Sequence, residues 1–186
     1  SVQCYQYICS KIPLRYAVAK SLNTVAWQVY EQVTPKVGLQ YLKNMNFSSI
    51  VKDDYTLATS LGGFTKGVSP LEMASAYTAL ENDGMFRQPN CIKSIVDADE
   101  NVVYSSQMTE VSIYEQDAAR TMTDVLTTVM DSGTGRALKL SNMPCAGKTG
   151  TTNDHKDGYF VGYTRYYTTS VWVGCDYPKS ISNLSG

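Results

Sequence analysis

The feature that most constrains the fold is a group of three β-rich segments that follows a series of helical patterns. The segments read MPCAGKTG, GYFVGYT and YYTTSVWVGCD, and short polar turns separate them. Short turns join antiparallel neighbours, so we predict an antiparallel sheet in this part of the chain. Helices first and a terminal sheet later indicate the α+β class. No internal repeat or linker-like stretch divides the 186 residues, which favours one domain.

Local start and stop signals divide the first helical region into three helices. Residues 12–46 are interrupted at Ser21-Leu22-Asn23, and Thr34-Pro35 begins a new helix with proline in its first turn. Asn23 is predicted to cap the second helix. The residues predicted to share one face of that helix are Val25, Val29 and Val33.

Two later helices carry their own boundary signals. A capping box with proline at the first helical position stands at 69–72, and Gly84 is predicted to end that helix. A second helix is predicted over 115–132, ending at Gly133. Its apolar residues at helical spacing are Ala118, Met122, Val125 and Val129. Residues 47–68 predict a loop, and residues 91–106 predict two short strands around a polar turn.

Composition and charge exclude several classes of function. A formal net charge of −1 gives no general attraction to nucleic acid or anionic lipid, and no apolar run approaches the roughly 20 residues of a membrane span. The five cysteines form no CxxC or Cys/His cluster, and His155 is the single histidine. We therefore predict no metal site and no cofactor. Cys4 and Cys9 could pair, although free or buried thiols are favoured.

Lys148-Thr149-Gly150, in the first β-rich segment, is found in two unrelated kinds of site. A phosphate-binding loop requires Gly-x-x-x-x-Gly-Lys-Ser/Thr between a strand and a helix. Counting back from Gly147, the first glycine should be residue 142, which is Asn142. A strand-like run follows the triplet where the loop would need a helix. Spacing and context therefore both exclude a phosphate loop.

The alternative is the carboxylate-binding strand of a serine acyl-transfer enzyme. Such an enzyme needs an activated hydroxyl, a base, donors aimed at the oxyanion and groups that hold the substrate carboxylate. Enzymes acting on β-lactams and D-Ala-D-Ala peptides use Ser-x-x-Lys, Ser-x-Asn and Lys-Thr-Gly elements. The second is present as Ser21-Leu22-Asn23 and the third as Lys148-Thr149-Gly150. Each triplet alone is weak, so the flanking sequence decides.

Four longer stretches occur in a specific order: LRYAVAKSLNTVA, LGGFTKGVSPLEMASAYTALENDGMFRQP, MDSGTGRAL and AGKTGTTNDHKDGYFVGYT. Together they closely resemble the transpeptidase domain of class A (bifunctional) penicillin-binding proteins, over residues 12 to 176. The resemblance implies the penicillin-recognising fold, an antiparallel sheet flanked by helices with the active site at the sheet edge. Residues 1–186 would then be the C-terminal portion of that single domain.

The resemblance also implies catalytic roles. Ser21 would relay a proton between the lysine of the nucleophile element and Lys148, toward the leaving amine. Lys148 would supply positive charge to the site. The backbone N–H of Thr151 would be one oxyanion donor.

The implied substrate-binding residues are Asn23, Thr149, Gly150 and Thr151. The Asn23 amide would bind the acyl side of the donor peptide, and the hydroxyls of Thr149 and Thr151 would hold its terminal carboxylate. Gly150, with no side chain, would let the substrate lie along the strand. The implied ligands are a peptidoglycan stem peptide and β-lactam antibiotics.

Other interpretations of these residues stay open. Ser21 and Asn23 could simply cap helices, which is common for Ser and Asn between helical runs. Thr134, between two glycines, is expected to serve helix termination more than binding. His155 is expected to be a solvated loop residue, and Tyr159 and Phe160 to be packing residues.

The nucleophile element is not found in its expected place. Only twenty residues precede Ser21, and none form Ser-x-x-Lys; Ser10-Lys11 is out of helical register. Ser49-Ile50-Val51-Lys52 matches formally, but it follows Ser-x-Asn and lacks a helical context, so we reject it. The chain is expected to be one piece of a domain. The missing N-terminal part of that domain is expected to remain associated with this piece. A non-catalytic scaffold or peptide-binding module of the same fold is the alternative.

The resemblance extends expectations to the parent protein, which would carry a glycosyltransferase domain and a membrane anchor on the extracytoplasmic face of a bacterial membrane. The piece itself would be soluble.

Two departures from the family pattern fall beside the cleft. Asp157-Gly158-Tyr159 replaces the usual aspartate, small residue and tryptophan, and Thr164-Arg165 replaces the usual Thr-Pro.

Overall fold

A computed structural model describes residues 11–186, so the possible pairing of Cys4 with Cys9 and the placement of Ser10 lie outside the described residues. The helices are α1 (Leu14–Ala19), α2 (Asn23–Val33), α3 (Pro35–Asn44), α4 (Pro70–Glu81) and α5 (Gln116–Ser132). The strands are β1 (Met85–Arg87), β2 (Ser94–Val96), β3 (Val102–Ser105), β4 (Glu110–Ser112), β5 (Ala146–Thr151), β6 (Gly158–Tyr163) and β7 (Thr168–Val173). Within 11–186, none of the helices has the length and apolar character that a membrane span requires.

The three β-rich segments form one antiparallel sheet, as predicted, in the order β5-β6-β7. In its register Ala146 lies opposite Tyr163 and Thr151 opposite Gly158. Helix α5 packs against β5, and α4 packs against β6 and β7. A buried cluster joins α5 to the sheet through Leu126, Val129, Ala146 and Tyr163. The α+β class is confirmed, with helices covering one face of the sheet.

The buried face of α5 agrees with the prediction at Val129 and differs from it elsewhere. The residues facing the core are Ala119, Leu126, Val129 and Met130, whereas Ala118 and Met122 are exposed. Two overlapping apolar rows run along this helix, and periodicity alone does not distinguish them. Packing against β5 buries the row that contains Leu126 and leaves Met122 exposed.

The start of α2 also differs from the prediction. Asn23 is the first helical residue, Leu22 holds the cap position, and no side chain caps the helix. The predicted face is not buried either, since Val29 and Val33 are each about two-fifths exposed. The Asn23 amide is therefore not used in capping α2.

A second buried cluster lies around α4, where Met45, Phe47, Ala76, Ala79 and Phe86 pack together. Phe86 lies in β1, which pairs with β4. The sequence analysis predicted neither strand, because each has only three residues. The capping box at Ser69 is as predicted, and α4 ends at Glu81, so that Gly84, with φ of +96°, lies in the turn that follows the helix. The two short strands predicted within 91–106 are the β2–β3 hairpin.

Candidate active site

Strand β5 is an edge strand of the described sheet, and its free edge carries the Lys-Thr-Gly triplet. Just beyond its end, the Thr152 N–H donates to the carbonyl of Asp157 at 3.0 Å, toward β6. Backbone groups along an antiparallel strand point alternately toward and away from the paired neighbour. The N–H and C=O groups of Thr149 and Thr151 therefore face the free edge.

Ser21 is held at the free edge by the end of α1. Leu22 N–H bonds to Ala17 O and Ser21 N–H to Val18 O, at 2.9 and 3.1 Å, which together form a Schellman motif. Ser21 takes the left-handed position, with φ of +54°, where glycine is the usual residue. The residue at this strained position is a serine, and its hydroxyl accepts a hydrogen bond from Lys148 on β5.

Lys148 joins the two predicted motifs. Its ammonium donates to the Ser21 hydroxyl at 2.9 Å and to the carbonyl of Thr149 at 2.8 Å. The side chain is half-buried, and desolvation by burial lowers the pKa of Lys148 below the ordinary lysine value. Among residues 11–186 no carboxylate forms an ion pair with it. An unneutralised cation thus lies at the free edge, bonded to a hydroxyl that could pass on a proton.

Thr134 is closer to the site than the sequence indicated. Its hydroxyl lies 2.6 Å from that of Thr149, and its N–H donates to the carbonyl of Ala19 at 3.1 Å. The turn after α5 is therefore bonded both to the end of α1 and to β5. The glycines on either side of Thr134 were a signal of a tight turn, but its approach to β5 depends on tertiary packing.

The remaining predicted residues lie along the same edge. Thr149 is half-buried, while Gly150 and Thr151 are exposed at the end of β5. Asn23 is exposed two residues after Ser21, and its side chain makes no hydrogen bond within the described part of the chain. The structure thus brings Ser21 to Lys148 by direct contact and leaves Asn23 beside them without a partner in 11–186.

A cleft of about 1240 Å³ opens beyond the end of β5. It runs from Gly150 and Thr151 past Tyr159 to the loop at Phe64. The Tyr159 hydroxyl donates to the Val68 carbonyl at 2.9 Å, so this side chain joins the sheet to that loop. Tyr159, which stands where the family usually has tryptophan, therefore forms part of the wall of the cleft. The cleft reaches the site through Gly150 and Thr151 at the end of β5.

Three further sequence interpretations can be compared with the structure. Ser49 donates to the carbonyl of Gly67 at 2.6 Å from a non-helical segment, which is consistent with rejecting it as a nucleophile. Phe160 packs across Gly147 and Gly162, as expected of a packing residue. His155 is exposed, but it is not merely solvated, because its Nδ1 lies 2.8 Å from the carbonyl oxygen of Leu184.

Comparison with known proteins bears on this geometry. Residues 3–177 match the family model of the penicillin binding protein transpeptidase domain. The chain is 34% identical over 173 residues to penicillin-binding protein 4 of Bacillus subtilis, covering 93% of the chain and 28% of that protein. It is 36% identical over 176 residues to penicillin-binding protein 1A of Aquifex aeolicus, covering 94% and 24%. The chain thus spans about a quarter of the length of these relatives.

Solved structures show the same fold at lower identity. Penicillin-binding protein PonA1 from Mycobacterium tuberculosis superposes with a TM-score of 0.80 at 22% identity, covering 94% of this chain and 50% of that chain. Penicillin-binding protein 1A from Haemophilus influenzae gives 0.78 at 19% identity, covering 93% and 33%. Family model, relatives and fold agree over nearly the whole sequence. The chain belongs to the transpeptidase domain family of penicillin-binding proteins, with class A proteins among its relatives.

Proposed function

We propose that this chain carries the proton relay and the substrate-binding strand of a serine-type D,D-transpeptidase that cross-links peptidoglycan and is acylated by β-lactams. The observation that carries the proposal is the Lys148–Ser21 hydrogen bond at the free edge of β5. It joins two motifs separated by 127 residues, each with the composition that acyl transfer requires.

The catalytic residues would be Ser21, Lys148 and Thr151. A serine nucleophile gives its proton to the lysine of its own Ser-x-x-Lys element and attacks the carbonyl of the donor peptide, so that negative charge develops on the carbonyl oxygen. The Thr151 N–H, which faces the free edge, donates to that oxygen. As the C–N bond breaks, Ser21 passes a proton to the leaving amine and regains one from that lysine, and the Lys148 cation favours the anionic states of the site. A second amine then takes the acyl group, and its proton returns to the serine.

Substrate binding would use Asn23, Thr149, Gly150 and Thr151. The hydroxyls of Thr149 and Thr151 lie on the same side of β5 at i and i+2, a spacing that suits the two oxygens of one terminal carboxylate. Gly150 leaves the strand edge open, so the donor peptide can align along it as an added strand. The unused Asn23 amide can bond the backbone on the acyl side of the peptide.

The nucleophile would come from a Ser-x-x-Lys element outside these 186 residues, on the N-terminal part of the same domain. That part is the principal protein partner of this chain. The parent protein would also hold a glycosyltransferase domain and a membrane anchor, and would act on the extracytoplasmic face of a bacterial membrane. These statements rest on the resemblance to class A penicillin-binding proteins, and the chain spans about a quarter of the length of the relatives compared with it.

Labelling with a fluorescent penicillin, followed by a denaturing gel, tests the proposal. We expect a covalent band from the full-length parent and none from residues 1–186 alone. Ser21→Ala in the parent should reduce the acylation rate by about 10²-fold or more, the range of general acid–base catalysis. A parent that never labels would support the non-catalytic scaffold instead. A band from the isolated chain would return the nucleophile to Ser49.

A further inference from the structure

The segment that follows β7 turns back onto the candidate active site. Residues 181–186, here called the return segment, begin with Ile181, whose N–H donates to the carbonyl of His155 at 2.9 Å. The Leu184 N–H bonds to the Ile181 carbonyl, which closes a turn. The last residue of the segment, Gly186, donates its N–H to the Thr151 hydroxyl at 3.0 Å.

His155 anchors this segment at two points. Besides the backbone contact to Ile181, its ring Nδ1 lies 2.8 Å from the Leu184 carbonyl oxygen. A carbonyl oxygen can only accept, so Nδ1 carries the proton in this contact. The backbone of His155 is in the left-handed region, with φ of +52°. No step of the proposed reaction uses this side chain.

The sheet is shaped to accept the return segment closely. A Cβ on Gly158 would lie 3.0 Å from Leu184 Cδ1, so the absence of a side chain there makes room for the leucine. A Cβ on Gly186 would overlap the carbonyl of Gly150 and the backbone of Tyr159. Only glycine therefore allows the segment to reach Thr151.

We propose that the return segment, anchored by His155, positions the Thr151 hydroxyl for the carboxylate of the substrate. A threonine hydroxyl has one proton to donate and lone pairs to accept with. Because the Gly186 N–H uses a lone pair, the hydroxyl rotor is oriented and its proton stays available for the carboxylate. The Thr149 hydroxyl also meets another segment, since it lies 2.6 Å from the Thr134 hydroxyl. Both carboxylate-binding hydroxyls of β5 thus contact other segments of the chain. His155 and Gly186 are positioning residues that act through Thr151.

The inference rests on the proposed function and is tested in the full-length parent protein. Acylation rate constants are measured for benzylpenicillin and for its methyl ester, which lacks the carboxylate charge. His155→Leu removes the Nδ1 donor, and Gly186→Ala displaces the segment by overlap. We expect each to slow acylation by the free acid about tenfold, equivalent to about 1.4 kcal/mol, and to leave the ester nearly unchanged.

Two further variants separate positioning from general damage to the loop. His155→Asn keeps a side-chain N–H donor near the Nδ1 position and should restore most of the rate with the free acid. Lys156→Ala alters the neighbouring residue, whose ion pair is with Asp154, and should leave the ratio of acid to ester rates unchanged. Equal loss on both substrates, or no loss from His155→Leu, would overturn the inference while leaving the transpeptidase proposal intact. Failure of the unmodified parent to label would overturn both.

Discussion

At the scale of single residues, Ser21 shows how a functional requirement opposes local stability. Its left-handed backbone ends α1 in a Schellman motif, a position where glycine is favoured because it has no Cβ. The hydroxyl bonded to Lys148 is the one feature that glycine could not provide. Strained residues of this kind cluster at active sites, which is consistent with the relay that we propose for Ser21.

Ser21→Gly should therefore stabilise the protein while reducing its activity. Relief of the left-handed strain is worth about 1–2 kcal/mol, and the added freedom of glycine in the unfolded chain offsets about 0.5–1 kcal/mol of it. We expect the free energy of unfolding, measured in urea, to rise by about 0.5–1 kcal/mol. Acylation by penicillin should fall by about 10²-fold.

Ser21→Ala is the matched control, since it removes the hydroxyl but keeps the Cβ. It should lose the same activity without the gain in stability. If the Ser21→Gly protein were less stable than the Ser21→Ala protein, the claim that a Cβ is strained at this position would be wrong.

At the scale of elements, α5 positions the site through its packing against β5. Its buried residues meet Ala146 and Tyr163 at the start of β5 and the end of β6. The Tyr163 hydroxyl lies 2.9 Å from that of Thr123 on the same helix, and burial raises the pKa of Tyr163 to about 12. Because Gly133 ends α5 beside α1, this helix sets the distance between Ser21 and Lys148.

Leu126 and Met122 offer a direct test of which face of α5 is buried. Leu126 is 2% exposed and Met122 is 37% exposed. Leu126→Ala should lower the free energy of unfolding by about 2–5 kcal/mol, because it removes buried methyl groups and leaves a cavity. Met122→Ala, on the same helix, should change it by no more than about 0.5 kcal/mol. Urea unfolding followed by circular dichroism gives both values, and the reverse ranking would restore the face that periodicity predicted.

At the scale of the whole molecule, five carboxyl groups have pKa values below their ordinary range. They are Asp54, Glu72, Asp83, Asp97 and Glu110. For Asp54 the causes are hydrogen bonds from the Thr65 hydroxyl and from the backbone N–H groups of Val51 and Thr65. These bonds hold the loop that lines the cleft next to β5.

The sign of the resulting pH dependence follows from these lowered pKa values. Between the folded and the ordinary pKa, the unfolded chain binds more protons, so the free energy of unfolding rises with pH. The contribution of these carboxylates to the free energy of unfolding should be complete above about pH 4–5. It should be lost progressively as the pH falls through the lowered pKa values. Urea midpoints between pH 2.5 and pH 6 measure this curve. Asp54→Asn should reduce the dependence of the urea midpoint on pH. An unchanged dependence would contradict the contribution of Asp54 to acid sensitivity.

Much of the element order could be predicted because helix ends and turns are encoded locally. The capping box at Ser69 sets the start of α4 through its own hydrogen bonds, and glycines follow the ends of α4 and α5 at Gly84 and Gly133. The strands β1 and β4 were missed because each is three residues long and stable only through pairing with the other. The predicted apolar face of α2 was wrong, and that of α5 was right at Val129 but wrong at Ala118 and Met122, because periodicity reports spacing, whereas burial depends on the neighbouring element.

The sequence by itself determined the family, the Lys-Thr-Gly triplet on a strand and the Ser-x-Asn triplet between two helices. These are short-range patterns, and their residue types indicate their chemistry. Only the tertiary structure decided which groups meet: Lys148 with Ser21, Thr134 with Thr149, and Gly186 with Thr151. Contacts between residues as far as 127 positions apart depend on how α1, α5 and the sheet pack together. That packing is a property of the whole folded chain, and no local pattern contains it.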